Sequence, residues 1–425
     1  MAAARLVFAD ESGQIFDHPS LEMTGASAGS WEQVERGALI ALPPGSELFV
    51  LPGRLPVGYD PREQRFEVVR ENPYGAGGKI QAVAAFMAPA YTQILAAAYQ
   101  SEREASVLPL FSYTAVGWRE GRFQVAGVRV DPLPRQDSDQ FDLLAVKHRA
   151  KRALAHNREN RLLQHLGICA LTYSCPAAKN YFLGRWEAPL PTSPRCNAAC
   201  LGCISLQRRS PICATQERIA FVPSPEEIAD VGAPHLEKAE GAVVSFGQGC
   251  EGEPLLKGKT LARAIEIMRR HSSRGTINLN TNGSLPKVVA RLRRSGLDSI
   301  RVSMNSARAD FYQRYYKPRG YSFADVKESV LAMKADGGFA SINLLTLPGF
   351  TDEEEEVEAL LRLIDETGLD LIQMRNLNID PEWYLRGIGY RPGGKRLGIP
   401  AMMERIRQCH PEVRFGYFNP CLNAG

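Results

Sequence analysis

Short apolar runs alternate with amphipathic segments of helical length from about residue 185 onward. The runs have the sequences VVSFG, TINLNTN, SIRVSMN, ASINLLTLPG and LIQMRN. Apolar positions at helical spacing predict helices over residues 224–238, 258–271, 285–295, 322–336 and 352–367. This alternation is typical of a parallel sheet whose strands are joined by crossover helices. With a first strand just before Cys196, it predicts six β/α units over residues 185–385.

The first 140 residues have a different pattern, in which strand-like runs follow one another. The runs are RLVFAD, SELFVLP, RFEVV, FSYTAVGW and RFQVAGVRVD. The last two flank the short polar turn Arg119-Glu120-Gly121, which predicts a β-hairpin. We therefore expect a separate β-rich N-terminal domain over residues 1–140, and no catalytic motif stands in it.

One segment of this domain, Ile80 to Ala98, is uncharged and nearly long enough to span a bilayer. It is only weakly apolar, because it contains many alanines and two glutamines, and Pro89 lies in its middle. These features favour a bent helix or a helix pair buried in a globular domain over a membrane span.

Two further regions flank the predicted β/α units. Residues 141–184 have apolar positions at helical spacing with basic residues between them, which predicts a basic linking helix. Such a basic face is typically solvated, and RNA phosphates are the alternative partner. Residues 386–425 are expected to form a short C-terminal extension.

Length, composition and charge limit the classes of protein to which this chain can belong. A chain of 425 residues exceeds what one hydrophobic core usually serves, and its hydrophobic content of 44% is ordinary for a globular protein. The formal net charge of +4 is too small to indicate nucleic acid by itself. The first residues include Asp10 and Glu11 and do not resemble a secretory signal, so a cytoplasmic location without membrane contact is expected.

Three of the nine cysteines carry the main chemical signal. An odd number of cysteines in a reducing compartment favours metal ligands and free thiols over disulfides. Cys196, Cys200 and Cys203 have the spacing C-x3-C-x2-C, without the close fourth cysteine of a local zinc site. Three thiolates on a four-iron cube would leave one iron open. The alternatives are half of a zinc site completed by a distant residue, or small buried side chains.

Polar motifs stand at the ends of the predicted strands, where parallel barrels gather their chemistry. Gly252-Glu253-Pro254 follows VVSFG, and Asn282-Gly283 is a strong turn after the next run. Ser303 and Asn305 alternate on one strand and so point to the same side. The remaining strand-end candidates are Leu347, Pro348, Gly349, Gln373 and Arg375.

Together, the cysteine spacing and these motifs resemble the radical S-adenosylmethionine (radical SAM) superfamily. The resemblance covers about residues 190–380 and implies an α/β fold with a partial (β/α)6, TIM-like barrel. It implies that Cys196, Cys200 and Cys203 bind a [4Fe-4S] cluster whose open iron takes S-adenosylmethionine. The residues that it assigns to S-adenosylmethionine are Gly252, Glu253, Asn282, Ser303, Asn305, Leu347, Pro348, Gly349, Gln373 and Arg375.

The motif at Gly252 departs from the G-G-E-P pattern of the superfamily. Glycine lets backbone carbonyls approach the amino group of S-adenosylmethionine, and Glu253 adds electrostatic support. Here Glu251 occupies the first glycine position, and Cys250 precedes it. Both side chains are therefore candidates for facing the substrate.

The resemblance also implies an activity. An electron from a reductant such as flavodoxin or ferredoxin enters the cluster, S-adenosylmethionine is cleaved reductively, and a 5′-deoxyadenosyl radical abstracts hydrogen from a substrate. The substrate is a small metabolite or, alternatively, RNA or protein. The sequence contains no D-x-H-x-x-G motif, so cobalamin binding is not inferred. No residue is assigned as a catalytic acid or base.

Two alternatives remain open at this stage. A non-catalytic protein that binds zinc or nucleic acid would also explain clustered cysteines and basic segments. A second iron–sulfur cluster could draw on the remaining cysteines, which are Cys169, Cys175, Cys213, Cys250, Cys409 and Cys421.

Overall fold

A computed structural model describes residues 3–75, 78–207 and 210–423 of the chain. These residues form two sheets, one of thirteen strands near the N-terminus and one of seven strands after it. Along the described chain, three α-helices follow the strands of the first sheet, and further helices alternate with the strands of the second sheet. The α/β class and the separate β-rich N-terminal region are confirmed.

The pairings described in the N-terminal sheet are antiparallel. Its strands are β1 (Arg5–Ala9), β2 (Ile15–Ser27), β3 (Ser30–Gln33), β4 (Leu39–Ala41), β5 (Glu47–Leu51), β6 (Arg54–Asp60), β7 (Arg65–Val68), β8 (Gln81–Phe86), β9 (Tyr91–Gln93), β10 (Ala96–Ala97), β11 (Tyr99–Ser101), β12 (Val116–Arg119) and β13 (Arg122–Arg129). Short 3-10 helices cover Arg36–Ala38, Pro134–Gln136 and Ser138–Gln140.

The hairpin predicted around residues 119–121 is formed by β12 and β13. Arg119 and Arg122 face each other as the last pair of the two strands. Glu120 and Gly121 between them have φ angles of 52° and 77°. A two-residue hairpin loop favours such left-handed positions because their twist matches that of the strands.

The prediction of a bent helix or a helix pair within residues 80–98 is wrong, because this segment forms the strands β8, β9 and β10. Ala84 and Ala85, adjacent in β8, are both fully buried. A strand buried on both faces lacks the alternation of a half-exposed strand, so periodicity does not distinguish it from a buried helix. In the described part of the chain, no helix is long and apolar enough to cross a membrane.

Residues 141–184 are helical but contain three helices instead of one linking helix. These are α1 (Leu143–His156), α2 (Arg161–Leu171) and α3 (Pro176–Leu183). Asp142 and Asn160 cap the first two helices, and each side chain accepts a backbone hydrogen bond of 2.9 Å. Asn160 therefore starts a new helix where the apolar spacing had predicted a continuous one.

The second sheet is parallel, and its seven strands lie in chain order. They are β14 (Glu187–Pro189), β15 (Val243–Phe246), β16 (Thr276–Thr281), β17 (Ser299–Met304), β18 (Phe339–Thr346), β19 (Leu371–Asn376) and β20 (Arg414–Gly416). Six of them are the predicted strands. The seventh, β20, comes from the region expected as a C-terminal extension, and its three residues gave no periodic signal.

Eight helices accompany this sheet in the described residues. They are α4 (Pro225–Lys238), α5 (Gly258–His271), α6 (Pro286–Arg294), α7 (Ala309–Tyr316), α8 (Phe323–Lys334), α9 (Glu354–Thr367), α10 (Pro381–Ile388) and α11 (Ile399–Cys409), with a 3-10 helix at Pro254–Lys257. The five predicted helices match α4, α5, α6, α8 and α9 within two residues at each end. The others were not predicted.

The N-terminal sheet is joined to the carboxyl ends of β18 and β19. The Gln93 amide N–H donates to Asn376 Oδ1 (2.8 Å), and the Ala28 amide N–H donates to the Pro348 carbonyl (2.7 Å). The side chains of Arg54 and Asp380 form an ion pair of 2.8 Å and are 2% and 3% exposed. The N-terminal domain therefore lies over the edge of the parallel sheet where the predicted site residues gather.

Candidate active site

A cavity of about 470 Å³ opens at the carboxyl ends of the parallel strands. Its walls include two of the motif cysteines, Cys196 and Cys200, and residues from several strand ends. The N-terminal domain contributes Phe86, Met87 and Ser112. Both sheets thus enclose one space, which the sequence did not indicate because the two parts are distant in the chain.

The cysteine loop is held in place by helix α7. The amide N–H groups of Ala199 and Leu201 donate to the carbonyls of Tyr316 (2.9 Å) and Tyr315 (3.1 Å). A Cβ atom on Gly202 would lie 2.8 Å from the Tyr315 hydroxyl, so the close approach requires glycine. The backbone of the loop is therefore positioned by the protein itself.

The three motif thiols fit an iron–sulfur cluster in their chemistry. Burial raises the pKa of Cys196 to about 11, with a further contribution from Glu253, and burial raises the pKa of Cys200 well above its usual value. The Arg218 guanidinium donates to Cys203 Sγ (3.4 Å). These three soft ligands lie beside a cavity, and the Arg218 guanidinium can compensate thiolate charge. They form a donor set suited to iron and sulfide.

Glu253 connects the turn after β15 to the end of β16. Its Oε1 accepts from the Thr281 hydroxyl (2.5 Å) and the Leu255 amide (3.0 Å), and its Oε2 accepts from the Asn282 amide (2.8 Å). Burial raises the pKa of this carboxyl group to about 7, although these hydrogen bonds oppose the change. Glu253 lines the cavity and orients the Asn282 turn at the same time.

The expectation that Glu251 faces the substrate is wrong. Its Oε1 accepts from the amides of Gly247 (2.7 Å) and Gln248 (2.8 Å). Its Oε2 accepts from the amides of Thr192 (2.7 Å) and Ser193 (2.8 Å). Four backbone donors thus surround a buried carboxylate that does not line the cavity in the described residues. Glu251 joins the segment before the cysteine loop to the loop after β15.

Some of the other residues expected to bind S-adenosylmethionine line the cavity, and others do not. Gly252, Asn282, Ser303 and Arg375 line the cavity. Asn305 is buried outside it, and its amide donates to the Tyr384 hydroxyl (3.1 Å).

Two further groups of candidates do not line the cavity among the described residues. Gln373 is buried behind the wall, where its side chain bonds to Asn419 (3.0 Å) and to Arg301 (3.2 Å). The turn Leu347 to Gly349 packs against the N-terminal domain. A Cβ atom on Gly349, whose φ is 85°, would lie 2.4 Å from Ser27 Oγ.

Arg301 is the main residue that sequence reasoning missed. It lines the cavity from β17, two residues before Ser303, and strand alternation could have placed it there. Its Nε and the Asn343 Oδ1 on the neighbouring strand have no hydrogen-bond partner among the described residues. Burial and the nearby Arg375 lower the pKa of Arg301 to about 9, while Glu187 opposes the change.

Arg375 stands beside Arg301 and is held by an aromatic ring. Its guanidinium carbon lies 3.7 Å from the ring centre of Tyr417, which follows β20 and also lines the cavity. Glu187 is the acid near both arginines, and burial raises its pKa. One end of the cavity therefore has more basic than acidic groups.

Residues 190–363 match the family model described as the radical SAM superfamily. This match identifies a radical SAM domain within the chain, which contains the cysteine motif and the strands β15 to β18. The cofactors of that superfamily are a [4Fe-4S] cluster and S-adenosylmethionine, which confirms the two cofactors expected from the sequence.

Two curated relatives are both GTP 3′,8-cyclases. The one from Petrotoga mobilis is 26% identical over 202 residues, which cover 47% of this chain and 54% of that protein. The one from Lactiplantibacillus plantarum is 27% identical over 175 residues, which cover 39% and 47%. The chain spans about half the length of the curated relatives it matches.

The chain is also similar to solved structures at low sequence identity. Methylornithine synthase has 17% identity and a TM-score of 0.37, and the match covers 63% of this chain and 78% of that protein. The FeFe-hydrogenase maturase of Carboxydothermus hydrogenoformans has 14% identity and a TM-score of 0.37, and the match covers 64% and 69%.

Proposed function

We propose that this protein is a radical SAM enzyme that acts on a small anionic molecule in the cavity between its two sheets. Cys196, Cys200 and Cys203 would hold a [4Fe-4S] cluster, which with S-adenosylmethionine would supply the radical chemistry that removes hydrogen from the substrate. The protein's own residues bind and orient the reactants and exclude water. A flavodoxin or ferredoxin is the proposed electron donor.

The proposed cofactor ligands are those on the cavity wall and in the cysteine loop. Cys196, Cys200 and Cys203 would hold the cluster. The backbone at Gly252, with Asn282 and Ser303, would hold S-adenosylmethionine, because these groups line the cavity on the same strand-end face as Cys196 and Cys200. Glu253 orients this part of the wall through its bonds to Thr281 and Asn282.

The enclosure of the cavity favours a small substrate. Phe86, Met87 and Ser112 of the N-terminal domain form part of its wall, and its volume of about 470 Å³ is within the range of small-molecule pockets. S-adenosylmethionine must occupy part of this space. RNA or a folded protein would have to present one nucleotide or side chain beneath the N-terminal domain, and the basic helix α1 does not line the cavity in the described residues.

The charge at one end of the cavity favours an anion. Arg301 and Arg375 both line it, and burial together with the charge of Arg375 lowers the pKa of Arg301. Two neighbouring guanidinium groups destabilise each other's positive charge unless a ligand compensates it. A carboxylate or phosphate group would accept from such planar donors and compensate their charge. This pair of arginines on the cavity wall is the observation that carries the assignment of substrate class.

The first experiment tests the radical SAM activity. The protein is reconstituted anaerobically with iron and sulfide and reduced with flavodoxin, and 5′-deoxyadenosine is measured after S-adenosylmethionine is added. We expect roughly four irons per cluster site. Cys200→Ala should abolish the product, whereas Cys409→Ala, which changes an exposed thiol on α11, should retain it. A protein that takes up zinc alone, or Cys200→Ala with full activity, would contradict the proposal.

The second experiment tests the substrate class. A cell extract is divided by ultrafiltration, and the filtrate is divided further on an anion exchanger. The material that stimulates 5′-deoxyadenosine formation should pass the filter and bind to the exchanger. Stimulation confined to the retained RNA and protein would instead support the macromolecular alternative.

Arg301→Gln should weaken the response to that anionic fraction. The change removes the charge but keeps an amide donor, and hydrogen bonds to charged groups contribute about 1.5–3 kcal/mol. The concentration needed for half-maximal stimulation should therefore rise roughly tenfold or more. Arg270→Gln, which changes an exposed arginine on α5, is the matched control. An equal response of both variants would remove Arg301 from the binding site.

A further inference from the structure

A second group of soft ligands lies outside the cavity. One nitrogen of His165 and the sulfurs of Cys169 and Cys250 all lie within 4.8 Å of one another. His165 and Cys169 are one turn apart on α2 and so share a face of that helix. Cys250 lies in the loop after β15. None of the three lines the cavity in the described residues.

The spacing of these atoms fits one tetrahedral ion. His165 Nε2 and Cys169 Sγ are 3.6 Å apart. A zinc ion with bonds of about 2.3 Å to sulfur and about 2.05 Å to nitrogen would place these two ligands about 3.5 Å apart. Thiolates of an iron–sulfur cube bind different irons and are farther apart. The geometry therefore favours a single ion over the second cluster considered from the sequence.

Both thiols of the group lie in the protein interior. Cys169 and Cys250 are 3% and 6% exposed. The backbone near this group is also ordered, because the Cys175 amide before α3 donates to the Cys169 carbonyl (2.9 Å), although the Cys175 sulfur is not one of the three clustered ligand atoms. Mixed nitrogen and sulfur ligands with tetrahedral spacing are the set that zinc prefers.

We propose that His165, Cys169 and Cys250 bind one Zn²⁺ ion that is distinct from the iron–sulfur cluster. Binding converts the two thiols to thiolates and releases their two protons to solvent, without oxidation or reduction. The ion joins α2 to the loop after β15, in which the neighbouring Glu251 holds four backbone amides. It stabilises this loop beside the cavity.

Metal analysis of a variant without the cluster cysteines tests the proposal independently of activity. The full-length chain with Cys196→Ala, Cys200→Ala and Cys203→Ala is purified anaerobically with zinc present. It should contain about one zinc per chain and negligible iron. Adding Cys250→Ser should remove most of the zinc, whereas adding Cys409→Ser should not. Absent zinc, zinc unaffected by Cys250→Ser, or iron retained at this site would overturn the proposal.

Cobalt substitution and a second variant separate a lost ligand from a lost fold. Co²⁺ in the same cluster-free chain should give the intense visible absorption of a tetrahedral, thiolate-bound ion. His165→Gln should weaken this absorption while circular dichroism and gel filtration remain unchanged, because residue 165 is only half-buried. Absorption of octahedral cobalt, or a disulfide between Cys169 and Cys250 in the anaerobic protein, would contradict the zinc site.

Discussion

At the scale of single residues, Glu251 shows how a change within a motif acquires a structural role. Two amides on each carboxylate oxygen use most of its acceptor capacity, so a residue that resembled a substrate contact instead fixes two loops. Arg301 is the opposite case, because it lines the cavity and its Nε has no hydrogen-bond partner in the part of the chain that the structure describes. Hydrogen-bond accounting therefore distinguishes the two residues better than charge does.

His235 on α4 makes stability depend on pH. Burial lowers the pKa of this imidazole to about 4, and its Nε2 lies 3.1 Å from the Trp186 carbonyl. Below about pH 6.5 the unfolded chain binds a proton that the folded protein does not take up until about pH 4. The contribution of His235 is therefore complete above pH 6.5 and falls by about 3 kcal/mol as the pH decreases to 4.

Urea unfolding at a series of pH values measures this effect. The difference in unfolding free energy between the protein and His235→Gln should decrease as the pH falls from 6.5 to 4. His156→Gln, which changes an exposed histidine, should follow the unmodified protein throughout. A pH-independent difference for His235→Gln would show that residue 235 does not titrate in this way.

At the scale of elements, the close packing of two strands explains one glycine at the site. Gly247 follows β15 directly and has a φ of 76°, and a Cβ atom there would lie 1.6 Å from the Asn280 carbonyl oxygen of β16. Glycine thus meets a conformational and a steric requirement at the same position. The strand ends that carry the cavity depend on this approach.

Substitutions at Gly241 and Gly247 separate the conformational requirement for glycine from the steric one. Gly241→Ala, at a φ of 57° with open space around it, should cost only the strain of the left-handed conformation, about 1–2 kcal/mol. Gly247→Ala should cost roughly 4 kcal/mol or more, because β15 and β16 must also move apart. Thermal and urea unfolding measure both changes. Equal losses for the two variants would show that the strands separate without cost.

At the scale of the whole molecule, the N-terminal domain is part of the cavity and not an appended unit. Its attachment includes the ion pair between Arg54 and Asp380, in which Asp380 also accepts from the Leu108 amide (2.9 Å) and caps α10. Both charges are almost fully buried, so each depends on the other for compensation.

Arg54→Met should leave the Asp380 charge buried without its partner. Breaking such a pair costs about 3–5 kcal/mol, and the unfolding free energy should fall by that amount. Arg65→Met, which breaks the exposed pair with Glu63, should change it by less than about 1 kcal/mol. If the two substitutions have equal effects, the buried pair does not hold the domain in place.

The sequence by itself determined the parallel β/α region, five of its helices and the cysteine motif, because local periodicity and short spacing carry that information. It also located Gly252, Asn282, Ser303 and Arg375 at strand ends, which the structure brings to one cavity. It mistook β8 to β10 for helix, since strands buried on both faces have no period of two. It missed the seventh strand, which is too short to show a period.

Only the tertiary structure decided which side chains share a surface. Residues Phe86 and Tyr417 meet at the same cavity although more than 300 residues separate them. His165 and Cys250 likewise come together only through the packing of α2 against the loop after β15. Such contacts depend on long-range packing and on the balance of buried hydrogen bonds, and no local pattern of the chain records either.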